Sequence, residues 1–193
     1  ATSLVYVVIW LAALYVAGAR WYHFIGLFAA AGVAVPFAWH FLHDYQRSRV
    51  LSFLNPSADP QGAGWNTLQA KISIGSGGWL GQGFANGAQT QLQFVPEQQT
   101  DFIFAVIGEE LGFLGALGLL TLLVILIWRT LRIGNRSADP YGRYVAVCVG
   151  AVIFFQSFVN IGMNIGVVPV AGFPLPFVSY GRSSLLTLLL ALG

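Results

Sequence analysis

The sequence predicts an all-α polytopic membrane protein, a helical bundle with one large extracytoplasmic loop. Hydrophobic residues make up 56% of the 193-residue chain and charged residues only 8%, whereas a soluble domain has about 25% charged residues. Several apolar runs are long enough to cross a bilayer. One polar stretch, residues 43–100, contains no such run. The net charge of +2 gives no support to nucleic-acid binding, and we expect none.

The apolar runs divide the chain into five predicted spans within one membrane domain. Their approximate bounds are residues 3–19, 24–42, 102–128, 144–163 and 183–193, the last one truncated. We expect the chain to be part of a longer protein, with further helices before it. The Pro- and Gly-rich segment before the fifth span is too apolar for an ordinary exposed loop. Irregular backbone at membrane depth is tolerated only where it is buried in protein or lines a cavity.

Charge predicts the orientation of these spans. Four arginines crowd the short loop between the third and fourth spans, namely Arg129, Arg132, Arg136 and Arg143. The positive-inside rule puts that loop in the cytoplasm. Alternation then puts the 43–100 loop and Asp101 on the outer side. Arg47, Arg49 and Lys71 lie in this outer loop, which indicates an anionic ligand there.

Asp101 stands where the polar loop meets the third span. At about 100° per residue, a stripe of small residues falls within about 40° of it, and its members are Ala105, Gly108, Gly112 and Gly115. Such a stripe lets another helix pack closely. Two interpretations of Asp101 are equally favoured. Either Thr100 or Asp101 caps the helix N-terminus, or Asp101 is a functional acid at the outer end of a packed seam.

Glu109 and Glu110 lie deeper in the same span. On a straight helix Glu109 is about 12 Å beyond Asp101 along the axis, and Glu110 points to the opposite side. A carboxylate in the apolar layer is costly unless it is paired, protonated or facing water. One interpretation is a polar cavity or ion path. We favour the other, a structural pairing with a neighbouring helix.

Three long motifs occur in an order that resembles a known family. They are YQRSRVLSFLNPSADPQGAGWNTLQAKISIGSGGWLGQGF, QLQFVPEQQTDFIFAVIGEELGFLGA and NIGMNIGVVPVAGFPLPFVSYGRSSLL. This order is similar to the C-terminal half of the SEDS family, the RodA, FtsW and SpoVE proteins, and most similar to its RodA members. Two residues depart from the family's pattern. Gln99 stands where His is frequent, and Arg182 replaces a glycine of the SYGGSS pattern.

The resemblance implies a ten-helix protein of the bacterial inner membrane that acts in cell-wall elongation, cell shape or cell division. It implies a peptidoglycan glycosyltransferase that polymerises lipid II on the outer face, with a class B penicillin-binding protein as partner and membrane lipids around it. The aspartate of the family's TDFIF motif is regarded as essential, and it corresponds to Asp101.

The chemistry implied by the resemblance suits these residues. An inverting transfer needs one base for the acceptor hydroxyl and positive charge for the departing pyrophosphate. We expect Asp101 to be that base, or to hold a divalent cation, Mg²⁺ or Mn²⁺, that does equivalent work. The candidates to hold pyrophosphate are Arg47, Arg49, Lys71 and Arg182, each of which is equally suited to a lipid headgroup. Two alternatives remain, a lipid II flippase that depends on Glu109 or Glu110, and a scaffold that only positions its partner.

Overall fold

A computed structural model of the chain describes residues 2–41, 47, 51, 53, 63–84 and 100–192. The helices with described bounds are α1 (Thr2–Val16), α2 (Trp21–Phe41), α3 (Ala63–Ser76), α4 (Ile103–Glu110), α5 (Gly112–Arg136), α6 (Pro140–Asn164) and α7 (Arg182–Leu192). The predicted all-α class is confirmed. Within these residues, α5 and α6 are long and apolar enough to cross a membrane. The exact bounds of the five spans stay a prediction.

Helix α6 is the centre of the described bundle and contacts α1, α3, α4, α5 and α7. It forms a hairpin with α5, and Asp139 caps its N-terminus by accepting hydrogen bonds from the N–H groups of Tyr141 at 3.3 Å and Gly142 at 3.2 Å. Pro140 follows at the first helical position, where it lacks only an N–H that the helix would leave unpaired. Each helix of the hairpin has 25 residues, or about 37 Å. The arginine-rich turn and the C-terminus of α6 are therefore at opposite ends.

The predicted span from 102 to 128 contains two helices with a break between them. Helix α4 ends at Glu110 and α5 begins at Gly112, which has a φ of +67°. The turn after α3 binds the peptide groups that the break exposes. The N–H groups of Gln82 and Gly83 donate to the carbonyls of Glu109 and Glu110 at 3.0 and 3.1 Å. In return the carbonyls of Gly78 and Trp79 accept from the N–H groups of Phe113 and Leu114 at 2.9 and 3.2 Å.

Glycines permit this contact between backbones. A Cβ on Gly77 would overlap the carbonyl oxygen of Gly108, and a Cβ on Gly81 would overlap that of Glu110. The small-residue stripe was therefore a correct sign of close packing at Gly108, which lies against Ile74 of α3. It was wrong beyond the break, because Gly112 lies against the backbone of the turn after α3 rather than against another helix.

The described part of the polar stretch 43–100 includes a helix. Helix α3 runs through it and packs on α4 and α6. Ala70 of α3 is buried with Phe102 and Ala105, and Ile74 and Val170 complete this small apolar core. The core joins α3, the start of α4 and the segment after α6.

Residues 165–181 connect α6 to α7 without regular secondary structure. The segment is nevertheless well packed, since the side chains of Phe173 and Leu175 are buried. The segment is irregular, as predicted, and whether it is buried in protein or lines a cavity stays a prediction. This buried segment (residues 165–181) lies at the same end of the bundle as the start of α4.

Candidate functional site

Asp101 lies in the turn immediately before α4, and its side chain is half-buried. The N-cap position of α4 belongs to Phe102, so the alternative that Thr100 or Asp101 is the N-cap residue is wrong. A side chain of α6 serves the helix start instead, because Asn164 Oδ1 accepts from the N–H of Ala105 at 3.2 Å.

The main chain of Asp101 is held by two buried amides. The side chains of Asn160 and Asn164 both donate from Nδ2 to the carbonyl oxygen of Asp101, at 2.9 and 3.1 Å. Each asparagine is 0% exposed. A carbonyl oxygen has two lone pairs, and these two donors occupy them. The peptide that follows Asp101 therefore has a fixed orientation.

The same amides bind the buried segment. Asn160 Nδ2 also donates to the carbonyl of Phe173 at 2.7 Å. Gly172, the preceding residue, has a φ of +66°, and a Cβ at its position would lie 3.4 Å from Asp101 Oδ2. The main chain at Gly172, which has no side chain, therefore forms one wall beside the Asp101 carboxylate.

Ser179 makes a second connection between the buried segment and the turn. Its hydroxyl donates to the carbonyl of Thr100 and accepts from the N–H of Leu175 at 2.7 Å. Ser179 is itself buried. The residues on both sides of the Thr100–Asp101 peptide are therefore fixed from outside their own turn.

Lys71 reaches the end of α6 that holds this site. A Cβ on Gly166 would overlap Cε and Nζ of Lys71, so the ammonium group lies on the backbone two residues after Asn164. A cation at a helix C-terminus interacts favourably with the helix dipole. Lys71 remains exposed. Among the predicted pyrophosphate ligands, it is the one whose side chain the structure describes at this end of α6.

The other residues predicted to bind pyrophosphate are three arginines. Arg47 donates from its guanidinium to the carbonyl of His40 at 3.1 Å. Arg49 lies outside the described residues. Arg182 begins α7, which follows the buried segment, but its side chain is also outside the described part, as is Gln99. Their proposed contacts with pyrophosphate stay predictions.

Glu109 and Glu110 lie at the helix break. Glu109 is 0% exposed, and Glu110 is half-buried. Their carbonyls bind the turn after α3, as described above, so this position joins three elements. The structural interpretation of the two carboxylates fits this location and stays a prediction.

The described residues contain no group of three or more His, Cys, Asp or Glu side chains that could hold a metal ion. Mg²⁺ is often held by one or two carboxylates together with substrate phosphates and water. A cation at Asp101 would therefore need oxygen atoms from the substrate. The donor set suits a cation that arrives with a phosphorylated ligand.

Sequence reasoning missed the residues that hold Asp101 in place. Asn160 and Asn164 are four residues apart in an apolar helix, hence on one face. Polar side chains inside an apolar helix commonly form hydrogen bonds across helices. That spacing was a usable signal. No comparable signal identified Ser179 or Gly172, because their partners are distant in sequence.

The sequence of this chain is similar to those of known proteins. A family model for FtsW, RodA and SpoVE, described as "Cell cycle protein", matches residues 1–193. The peptidoglycan glycosyltransferase MrdB of Escherichia coli strain K12 is 47% identical over 194 residues, which cover 100% of this chain and 52% of MrdB. Stage V sporulation protein E of Bacillus subtilis is 42% identical over 185 residues, 93% of this chain and 49% of that protein.

One solved structure is similar over the whole chain. It is described as "Structural coordination of polymerization and crosslinking by a peptidoglycan synthase complex". The match has a TM-score of 0.78 and 34% sequence identity, and it covers 98% of this chain and 52% of the other. The chain spans about half the length of the curated relatives it matches.

Proposed function

The chain belongs to the FtsW/RodA/SpoVE family, and from that premise we propose that the protein containing it is a peptidoglycan glycosyltransferase. In this proposal it polymerises lipid II on the outer face of the bacterial inner membrane, for cell-wall elongation and cell shape. Its partner is a class B penicillin-binding protein, which crosslinks the product. The activity for which MrdB is named, at 47% identity, supports this reaction, and the similar synthase complex supports a partner.

The reaction needs a base at a fixed position. The C4 hydroxyl of one sugar attacks the anomeric carbon of a lipid-linked sugar, and the bond from that carbon to the pyrophosphate oxygen breaks. The hydroxyl proton passes to Asp101, and the leaving pyrophosphate takes the bonding electrons. One displacement changes the linkage from α to β. A base correctly placed for such a transfer contributes about 10²- to 10⁴-fold to the rate.

One observation carries the assignment of Asp101. Its carbonyl is bound by two fully buried asparagines, while its side chain is half-buried. A carboxylate on a fixed main chain that still has access to solvent is what a general base requires. It would lose little freedom when a substrate binds.

The leaving group calls for positive charge near Asp101. Lys71 is the best supported candidate, because its ammonium group lies at the same end of α6 as Asp101. Arg182 is a second candidate through its place at the start of α7. A divalent cation bound at Asp101, Mg²⁺ or Mn²⁺, would neutralise pyrophosphate charge in the alternative form of this proposal.

The test is the initial rate of lipid II polymerisation by the full-length protein with its partner. We expect Asp101→Asn to lower the rate at least about 100-fold. The matched control is Asp139→Asn at the other end of α6, where asparagine keeps the helix cap. Full activity of a folded Asp101→Asn variant would exclude both the base and the metal role. Loss of polymer with partner binding intact would exclude a pure scaffold. Loss of polymerisation after chelation by EDTA would favour Asp101 as a metal ligand, and an unchanged rate would favour Asp101 as the base.

A lipid II flippase remains the second candidate, favoured by the helix break beside buried Glu109. Broken helices and buried carboxylates are common in transporters. This function predicts that Glu109→Gln abolishes lipid movement in proteoliposomes, while Asp101→Asn leaves it intact. Polymer formation that survives Glu109→Gln would favour the glycosyltransferase.

A further inference from the structure

Asn160 of α6 connects the two stretches of main chain on either side of the Asp101 carboxylate. One amide group, Nδ2, donates to the carbonyl of Asp101 at 2.9 Å and to the carbonyl of Phe173 at 2.7 Å. Phe173 adjoins Gly172, whose backbone lies beside Asp101 Oδ2. Asn160 therefore bonds directly to the main chain on both sides of the space beside the carboxylate.

The environment of Asn160 makes this connection rigid. The residue is 0% exposed, so water does not compete for its hydrogen bonds. Its main-chain carbonyl accepts from Asn164 Nδ2 at 2.8 Å, and its Oδ1 lies 3.4 Å from the same nitrogen. Exchanging Oδ1 and Nδ2 of Asn160 would point an oxygen at two carbonyl oxygens, so the amide has one favoured orientation. Buried polar networks of this kind make a structure rigid when every member is bonded.

We infer that Asn160 is a positioning residue for the transfer reaction, acting through Asp101 and the backbone at Phe173. This inference rests on the proposed function, because it presupposes that Asp101 is the base. Asn160 does not touch the reacting atoms in this role. It orients the main chain of Asp101 relative to the backbone at Gly172, beside the carboxylate.

The primary test compares Asn160→Ala with Ser157→Ala in the full-length protein with its partner. Ser157 lies one turn earlier on the same buried face of α6, and its hydroxyl has no hydrogen-bond partner among the residues that the structure describes, so its loss controls for cavity formation. We expect Asn160→Ala to lower kcat about 10- to 100-fold, since a displacement of about 1 Å costs that much. The KM for lipid II should stay within about threefold of the wild-type value, because substrate binding is retained.

A second measurement separates positioning from general destabilisation. If Asn160 acts through Asp101, adding Asn160→Ala to Asp101→Asn should not lower the residual rate further, because the two losses are not additive. A multiplied loss in the double variant would overturn the inference. If Asn160→Ala lowers the melting temperature far more than Ser157→Ala does, Asn160→Ser takes its place. Serine keeps one donor, and an intermediate kcat is then expected.

The outcomes distinguish this inference from the proposed function. An inactive Asp101→Asn together with an Asn160→Ala variant as active as Ser157→Ala would leave Asp101 as the base and reject the positioning role. A fully active Asp101→Asn would reject the base itself, and the role of Asn160 with it. A KM that rises while kcat is unchanged would show that Asn160 affects substrate binding and would also overturn the inference.

Discussion

Gly172 lies against the carboxylate of Asp101, such that a Cβ at residue 172 would come 3.4 Å from Asp101 Oδ2. Its φ of +66° costs a residue with a side chain about 1–2 kcal/mol. Glycine at this position thus serves both the backbone conformation and the space beside the acid. The wall it forms presents peptide groups to whatever binds next to Asp101.

Gly172→Ala should reduce polymerisation by about tenfold, because the methyl group fills the space beside the carboxylate and the strained backbone shifts the wall next to it. The control is Gly18→Ala. Gly18 has a φ of +81° and no atom of the described residues within 4 Å of its Cβ position, so it carries similar strain without the contact. Initial rates on lipid II measure the difference. Equal rates for the two variants would mean that the space beside Asp101 is not needed.

Gly77→Ala should destabilise the protein, since its Cβ would overlap the carbonyl oxygen of Gly108. Overpacking costs about 1–3 kcal/mol, and backbone yields less readily than a side chain. Gly75→Ala, two residues earlier and within α3, is the control, because no atom of the described residues lies within 4 Å of its Cβ position. Alanine there should be neutral or stabilising by about 0.5–1 kcal/mol. Thermal unfolding in detergent compares the two, and a Gly77 variant as stable as the Gly75 variant contradicts this packing.

Ser179→Ala should loosen the buried segment, because it removes the acceptor of the Leu175 N–H and the donor to the Thr100 carbonyl. Leaving a buried group without its partner costs about 1–3 kcal/mol. Hydrogen exchange at the Leu175 amide should therefore speed up about tenfold or more. Thr121→Ala, which removes an exposed bond within α5, should leave that exchange rate unchanged. Unaltered protection in the Ser179 variant would disprove the role of this hydroxyl.

Lys71→Gln should raise the KM for lipid II about tenfold, because a hydrogen bond to a charged group contributes about 1.5–3 kcal/mol. Arg132→Gln removes the same charge from the far end of the α5–α6 hairpin, where the guanidinium lies 5.1 Å from the Trp128 ring centroid. That control should leave KM unchanged. Equal effects of the two variants would indicate a general response to net charge rather than binding of pyrophosphate by Lys71.

The all-α membrane class could be predicted because composition and the length of apolar runs depend only on local sequence. The helix break after Glu110 could not be predicted from the sequence. GEELG reads equally well as a continuous helix with a packing stripe, since Gly112 carries no sign of its positive φ. The decisive partners, the main-chain groups of residues 78–83, lie about thirty residues earlier. Only tertiary contact selects between a continuous and a broken helix.

Asp101 was recognised by its place at the end of a polar loop and by the family motif. The residues that hold it were not, although Asn160 and Asn164 were visible as two amides on one face of an apolar helix. Their acceptors are main-chain carbonyls, and every residue, proline and glycine included, supplies such a carbonyl with the same chemistry. A pattern of side chains in the sequence therefore cannot show which main-chain carbonyl a buried amide will bind.

The break between α4 and α5 has a mechanical consequence. The turn after α3 binds both the end of α4 and the start of α5, so the two helices are joined across the break. The main chain of Asp101 is bound in addition by Asn160 and Asn164 of the long helix α6. Transmembrane helices tilt when bilayer thickness changes. We expect a tilt of α5 and α6 to be transmitted to Asp101, so that the polymerisation rate depends on the thickness of the membrane around the protein.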